Sequence, residues 1–491
     1  MASITEPQPL DSALKAQSTR RDDGSMSAPP REAEAAPRSP ASAISFAEAL
    51  RVWLRVAVLS FGGPAGQIAV MHRILVEEKK WISESRFLHA LNYCMLLPGP
   101  EAQQLATYIG WLLHRTRGGL VAGTLFVLPG FLSILALSIL YAGFQTLLLV
   151  QAVFFGIKAA VLAVVIEAVL RIGRRVLRTL PMYGIAVTGF IAIFFFDVPF
   201  PVIVIAAAVI GFLGGRVDPT RFIVVKGHAT KAEAEPAMVD RMLRAGGADH
   251  PRPTLARSVR VAATWLALWF VPLGALASAF GPHHVFTQVG IFFSKLAIVT
   301  FGGAYAVLTY MAQATVDRYG WLAPGEMLDG LGMAETTPGP LIQVVQFVGF
   351  MGAFRDPGTL DPYIAGVVAS VVATWMTFVP CFLWIFLGAP YVEALRGNRA
   401  LSAALSGITA AVVGVVLNLA VWFGLHVLFG EVNEFWIHGV RLRVPVWQTL
   451  DPGAVALAAG ALIAMLRFHL GMIPTLAASA GLGALYFMLV V

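Results

Sequence analysis

The motif Ser60-Phe61-Gly62-Gly63 returns 240 residues later as Thr300-Phe301-Gly302-Gly303. At the same offset, Pro98-Gly99-Pro100 returns as Pro338-Gly339-Pro340. Further matches follow in the same order, with small insertions and deletions, as far as the pair Gly156 and Gly407. Chance can supply one such match, whereas an ordered series over roughly 100 residues indicates an internal duplication.

The amino-acid composition indicates the environment in which this duplicated chain folds. Of its 491 residues, 57% are hydrophobic and only 13% are charged, about half the charged fraction of a usual soluble domain. Several apolar runs approach the roughly 20 residues that cross a bilayer. We therefore predict an all-α polytopic membrane protein with about 10–13 membrane segments, some of them broken or re-entrant.

The chain divides into four parts by composition. We predict a disordered N-terminal tail, a first repeat, a basic cytoplasmic linker, and an extra helix followed by the second repeat, at residues 1–43, 44–215, 216–260 and 261–491. The linker carries nine Lys and Arg residues against five Asp and Glu residues, which indicates the cytoplasmic side. The extra apolar segment at 261–280 adds one crossing, so the second repeat is expected upside down.

Loop charges favour that inversion. In the first copy one loop holds Arg171, Arg174, Arg175 and Arg178, and the aligned segment of the second copy, 422–429, holds neither Lys nor Arg. Inverted-topology repeats are the architecture of many secondary transporters. The alternative is a duplicated structural bundle that moves no substrate.

The two Pro-Gly-Pro motifs interrupt membrane helices. As one straight helix, residues 83–114 would be about 45 Å long, too long for a hydrocarbon core of about 30 Å. Because proline lacks an N–H and suits the first helical position, Pro100 is expected to start a new helix inside the membrane. A simple proline kink is the structural alternative.

The Gly-Gly motifs follow the same logic, since glycine lets the backbone turn and Pro64 restarts a helix. Each restarted helix directs unpaired N–H groups and about half a positive charge at its start. Four such ends that converge would form an anion site made largely of backbone.

Side chains near the breaks are further candidates. Arg55 and Lys295 align at the 240-residue offset, and a matched pair of buried cations suggests an anion between them. The alternative for Arg55 is that it extends to the membrane interface together with Arg51. Gln103 and Thr337 offer neutral hydrogen bonds that suit an oxyanion, although buried amides also join helices.

Two carboxylates flank the Pro-Gly-Pro motifs. Glu101 follows the first motif and Glu335 precedes the second, so either is a candidate for a coupling proton. Glu101 has the alternative role of capping the new helix electrostatically.

The sequence lacks motifs typical of metalloenzymes, nucleotide-binding proteins and hydrolases. The ten histidines show no metal-ligand spacing, and no nucleotide-binding or nucleophile motif stands in a credible context. We therefore expect no metal, no cofactor and no enzymatic activity. A net charge of +7 without basic runs interleaved with aromatics also argues against a nucleic-acid partner.

These motifs resemble the chromate ion transporter family in its long two-domain form. The resemblance rests on the Gly-Gly and Pro-Gly-Pro motifs of both copies, together with Gln103-Gln104-Leu105-Ala106 and Glu335-Thr336-Thr337. It covers nearly everything after residue 45. Two departures are Ala304, which stands where the first copy has proline, and Gln67, where the family often has histidine.

The resemblance implies chromate export across the inner membrane, which protects the cell, and it places the family's usual basic residues on Arg55 and Lys295. Two charges that cross about 100 mV gain about 4.6 kcal/mol, so a cell that is negative inside favours export. Transport of sulfate or another tetrahedral oxyanion, an ion channel and a membrane-embedded reductase remain alternatives. A homodimer is one oligomeric state that the sequence leaves open.

Overall fold

The computed structural model describes residues 44–61, 63–95, 97–223, 254–301, 304–391 and 399–490. The predicted tail at 1–43 and the interior of the predicted linker lie outside the described residues. So do Gly62, Gly302 and Gly303.

Helices dominate the first half of the described chain. In order they are α1 (Phe46–Leu59), α2 (Gly63–His72), α3 (Glu84–Cys94), α4 (Glu101–Phe144), α5 (Leu148–Val176), α6 (Leu180–Phe196), α7 (Phe200–Val217) and α8 (Pro219–Phe222). The predicted end of the first repeat at residue 215 lies two residues before the end of α7.

The second half continues with nine helices and one hairpin. These elements are α9 (Leu255–Phe280), α10 (Val285–Val299), α11 (Ala304–Gln313), α12 (Pro324–Thr336), α13 (Val344–Arg355), α14 (Pro362–Gly388), α15 (Arg399–Leu428), β1 (Val432–Ile437), β2 (Val440–Pro445), α16 (Pro452–Phe468) and α17 (Met472–Val490). The extra helix of the prediction is α9, which begins six residues earlier than expected.

The described helices fit the predicted membrane class. Seven of them are long and apolar enough to cross a membrane, and four further apolar helices are shorter. Helix α9 is the most peripheral of the seven, since Trp269 is its one buried residue. The all-α polytopic prediction is therefore confirmed.

The element order repeats between the halves. Helices α1 and α2 are followed by a π-helical turn at Arg73–Glu78, and α10 and α11 are followed by one at Ala314–Arg318. Helix α4 corresponds to α13 and α14 together, because it folds back on itself at His114 and Arg115, whose backbone is not helical. This fold-back brings Gly110 against Gly118 so closely that a Cβ on Gly110 would lie 2.5 Å from the Gly118 carbonyl oxygen.

The two halves exchange their C-terminal helices. Helix α5 packs against α16 and α17, and its counterpart α15 packs against α6 and α7. A Cβ on Gly156 would lie 1.9 Å from the Ser479 carbonyl oxygen, and one on Gly407 would lie 2.4 Å from that of Ala207. Small residues therefore let the backbones of opposite halves touch, as is typical of membrane helix packing.

A β-hairpin interrupts the second half, and the sequence analysis did not predict it. Strands β1 and β2 pair in antiparallel register around His438 and Gly439, both with positive φ. Arg441 ties the hairpin to the end of α6 through an ion pair of 2.8 Å with Asp197. The alternating polar and apolar residues of β2 were the available signal.

One buried ion pair also joins the halves. The Nζ of Lys158 on α5 lies 3.3 Å from Oδ2 of Asp329 on α12, and Tyr141 on α4 donates its hydroxyl to the same oxygen at 2.7 Å. The Asp329 side chain is only 4% exposed. Removal of Lys158 would therefore leave a desolvated carboxylate without its counter-charge.

We expect Lys158→Met to destabilise the protein by about 3–5 kcal/mol, because a buried charge loses its partner. The double variant Lys158→Met/Asp329→Asn should recover much of that loss. The control is Arg171→Gln, which breaks the more exposed pair with Glu167 and should cost less than about 1 kcal/mol. Thermal unfolding in detergent measures all three, and equal losses for Lys158→Met and Arg171→Gln would contradict the assignment.

Candidate functional site

The four chain breaks pair across the duplication. The N–H of Gly99 donates to the carbonyl of Thr300 at 2.7 Å, and the N–H of Gly339 donates to the carbonyl of Ser60 at 2.8 Å. Ser60 and Thr300 cap the C-terminal ends of α1 and α10. Each Pro-Gly-Pro motif therefore lies against the Gly-Gly motif of the opposite copy.

Each Pro-Gly-Pro motif also packs closely against a helix of the opposite copy. A Cβ on Gly339 would lie 2.9 Å from the Cα of Gly130, and one on Gly99 would lie 2.7 Å from the Sγ of Cys381. Gly130 and Cys381 occupy matching positions in the two copies, each directly after a proline inside a helix. The φ angles of Gly99 and Gly339, +119° and +110°, suit glycine alone.

The helices restart where the sequence predicts. Pro100 is the N-cap of α4, and Pro340 is the N-cap of the short 3₁₀ turn that leads into α13. The predicted helix start at Pro100 is therefore displaced by one residue, since the first helical residue is Glu101. The first N–H groups of each such helix have no partner within the helix.

Glu335 reaches the start of α2 from the opposite copy. It is buried, and its Oε1 accepts a hydrogen bond of 2.6 Å from the hydroxyl of Tyr305. Its Oε2 has no hydrogen-bond partner in the described structure and would lie 4.0 Å from a Cβ on Gly63. The residues that align with Tyr305 and Glu335 in the first copy are Ala65 and Met95, so this feature is asymmetric.

Gln67 is a second asymmetric contact. Its Nε2 donates to the carbonyl of Gly339 at 2.6 Å, and the side chain is buried. The amide thus joins α2 directly to the Pro-Gly-Pro motif of the other copy. Gln67 is a departure from the family pattern and, like Gln103, a neutral hydrogen-bonding residue near the breaks; its contact fits the alternative in which a buried amide joins helices.

Gln103 and Thr337, the other predicted polar residues, donate hydrogen bonds to neighbouring protein groups. Gln103 donates to Thr107 Oγ1 at 3.1 Å, and Thr337 donates to the Met333 carbonyl at 2.9 Å. The Oε1 of Gln103 has no partner in the described structure. Gln103 therefore keeps one N–H and its carbonyl oxygen uncommitted among the described contacts, whereas the Thr337 hydroxyl proton is used within its own helix. Glu101 lies half-buried in the first turn of α4, which fits its capping alternative.

The predicted burial of the two cations is wrong. The Arg55 side chain is 48% exposed and forms an ion pair of 2.7 Å with Glu78. Lys295 is exposed on α10. For Arg55 the interfacial alternative fits the structure.

One polar cavity lies beside this region. It measures about 290 Å³, and Glu167, Arg171, Tyr305 and His469 are among its lining residues. Two larger cavities, of about 450 and 370 Å³, are lined almost wholly by apolar side chains on helix faces. Among these three cavities, the smallest alone touches a residue that contacts Glu335.

Sequence reasoning missed Tyr305, Asp329 and Tyr141. A usable signal existed for Asp329, which is a lone carboxylate in the apolar run Met327-Leu328-Asp329-Gly330-Leu331. No comparable signal marks Tyr305, because its partner lies 30 residues away on another helix.

A family model described as Chromate transporter matches residues 47–212 and again residues 287–484. The chain belongs to the chromate transporter family. The two matches cover most of the chain and coincide with the two copies. No solved structure matches this family member.

Curated relatives agree with the family assignment. The chain is 32% identical to the Chromate transport protein of Pseudomonas aeruginosa over 381 residues, which cover 76% of the chain and 80% of that protein. It is 28% identical to the Chromate transport protein of Cupriavidus metallidurans, with 75% and 80% covered. A Probable chromate transport protein of Synechococcus elongatus is 26% identical, with 78% and 85% covered.

We expect Gly339→Ala to abolish most anion transport by this family member, because the added Cβ displaces the Pro-Gly-Pro backbone from Gly130. A misplacement of about 1 Å typically costs roughly 100-fold in activity. Gly281→Ala is the control, since Gly281 has a positive φ of 86° but no atom within 4 Å of the added Cβ. Equal losses in both variants would show that backbone strain, rather than the contact between copies, is responsible.

We expect Arg55→Gln and Lys295→Gln to retain anion flux within about threefold, because exposed charges contribute little. Initial rates in reconstituted vesicles, normalised to folded protein, measure this. A loss of more than tenfold in both variants would restore the original assignment of an anion between the two cations.

Proposed function

We propose that this chain exports chromate, or a related tetrahedral oxyanion, across the cytoplasmic membrane and thereby confers chromate resistance. The observation that carries the proposal is the reciprocal pairing of the breaks, Gly99 with Thr300 and Gly339 with Ser60. It gathers helix starts from both copies in a chain whose relatives are named chromate transport proteins.

The proposed anion site uses backbone groups at the interrupted helices. Its candidate residues are Gly62, Gly63, Pro98, Gly99, Pro100, Gln103, Gly302, Gly303, Thr337, Pro338, Gly339 and Pro340. Helix starts present N–H groups and about half a positive charge each, which suits a dianion without a buried cation. We assign the main stabilisation of the anion to the backbone, since Arg55 and Lys295 are both exposed in this structure.

Alternating access would come from motion of one copy against the other. Inverted repeats in secondary transporters rock around a central site, and the breaks here are contacts between copies. The hydrogen bonds from Gly99 and Gly339 would hold one arrangement of the copies and yield in the other. We propose transport, not catalysis, since the relatives are named transport proteins.

The driving force is the membrane potential, proton exchange, or both. A dianion that leaves a cell negative inside by about 100 mV gains about 4.6 kcal/mol, which is a concentration ratio of roughly 2,000. Glu335 is the better-placed candidate for a coupling proton, because it is buried beside Gly63.

We expect inside-out vesicles that contain this protein to accumulate chromate when their lumen is made positive. The imposed potential acts on a dianion in the exporting sense, so uptake should rise steeply with voltage. Protein-free vesicles and the Gly339→Ala variant are the controls. No uptake by the folded wild type under an exporting potential would refute export, and complete inhibition by a tenfold excess of sulfate would point to a broader oxyanion carrier.

A further inference from the structure

The polar cavity leads towards the proposed site. Its lining includes Glu167 and Arg171 from α5, Tyr305 from α11 and His469 from the turn between α16 and α17. His469 and Arg171 are exposed, so the cavity meets the surface at this turn. Tyr305 itself is buried, and it is also one of the residues that line the cavity.

Tyr305 connects the cavity to the carboxylate. Its hydroxyl donates to Oε1 of Glu335 at 2.6 Å, while Oε2 of the same carboxylate has no hydrogen-bond partner among the described residues and lies on the side of Gly63. The cavity, the Tyr305 side chain on its wall and the buried Glu335 carboxylate therefore follow one another in space. The series ends at the helix start where we place the anion.

We propose that Tyr305 relays protons between this cavity and Glu335, which makes the cavity the proton path of the transporter. In each step a hydronium ion in the cavity gives one proton to the Tyr305 oxygen and becomes water, while the original phenol O–H bond breaks and its proton passes to Oε1 of the Glu335 carboxylate, which becomes a neutral carboxylic acid. The reverse sequence returns the proton to a water molecule in the cavity. The inference rests on the proposed function, since the proton is exchanged for the transported anion.

The surrounding charges are compatible with that path. Arg171 and Glu167 on α5 are the charged groups that act on Glu335 across the helix interface, and they neutralise each other through an ion pair of 2.5 Å. Glu335 is then free to gain and lose a proton without a fixed counter-ion. The pair also lines the cavity, where it keeps the space polar.

The path opens on a definite side. Arg171 lies near the end of α5 and is followed by Arg174, Arg175 and Arg178, a basic cluster that the positive-inside rule assigns to the cytoplasm. In this conformation Glu335 therefore exchanges protons with the cytoplasm. Export by proton exchange requires this step, because the proton that enters must be released inside.

The anion itself is a poor candidate for the same route. Arg171 on the cavity wall is already paired with Glu167, so this pair offers a dianion no net positive charge, and the inner route passes through a hydroxyl that transfers protons. The cavity of about 290 Å³ is nevertheless large enough for water. These features favour protons over the substrate.

The test compares two modes of chromate flux in proteoliposomes. The first is uptake driven by an acidic lumen with the potential clamped at zero, and the second is chromate–chromate exchange at equal pH. We expect Glu335→Gln to lose the first and to keep the second within about threefold. Tyr305→Phe, which removes one hydroxyl, should slow the first by roughly 10–100-fold and spare the second.

The matched control is Tyr310→Phe on the same helix, whose ring packs against Phe200 and Phe292. It should leave both modes unchanged. A second arm blocks the cavity without touching Tyr305. Leu470→Cys lines the cavity, and a bulky charged thiol reagent attached there should suppress the driven mode alone, while Cys94 and Cys381 stay unlabelled because both are buried.

Each outcome decides between the claims. No chromate flux in the wild type defeats the proposed function, and the proton path with it. Chromate flux without any component driven by the pH gradient, or a driven component that survives both Glu335→Gln and Tyr305→Phe, defeats the proton path alone. Equal block of both modes by labelled Leu470→Cys would mean that the anion uses the cavity, which also overturns the proposal.

Discussion

Two backbone hydrogen bonds between the copies are the constraint on which the centre of this protein depends. Inside a membrane every polar backbone group needs a partner, and a broken helix exposes several. Here the N–H of Gly99 donates to the carbonyl of Thr300, and the N–H of Gly339 donates to the carbonyl of Ser60. Each copy therefore supplies hydrogen-bond partners for the interrupted backbone of the other copy, and neither set of breaks is fully paired without the other copy.

The backbone contacts at the breaks follow the duplication, whereas the titratable side chains near them do not. The hydrogen bonds and the contacts behind them obey the duplication, since Gly130 and Cys381 play matching parts. The titratable side chains do not obey it, because Tyr305 and Glu335 have no polar counterparts in the first copy. A symmetric backbone arrangement beside an asymmetric carboxylate is consistent with the proposed separation of the anion site from the proton path.

Sequence reasoning reached the duplication, the membrane class and the positions of the breaks, because these depend on spacing, hydropathy and the fixed chemistry of proline and glycine. It failed wherever the answer depended on which helices meet. The pairing of Lys158 with Asp329 and of Tyr305 with Glu335 crosses helix interfaces that no local pattern encodes. The cations Arg55 and Lys295 show the reverse error, since alignment between copies was taken as evidence of burial and the α1 and α10 surfaces instead expose both.

The exchange of C-terminal helices has a consequence for biogenesis. Helices α6 and α7 find their main neighbour in α15, and α5 finds its own in α17, the last helix described. When the ribosome has released the first copy, the close-packing face of Gly156 still awaits Ser479, more than 300 residues downstream. The largest helix contacts of α5, α6 and α7 can therefore form only late, when synthesis of the chain is nearly finished.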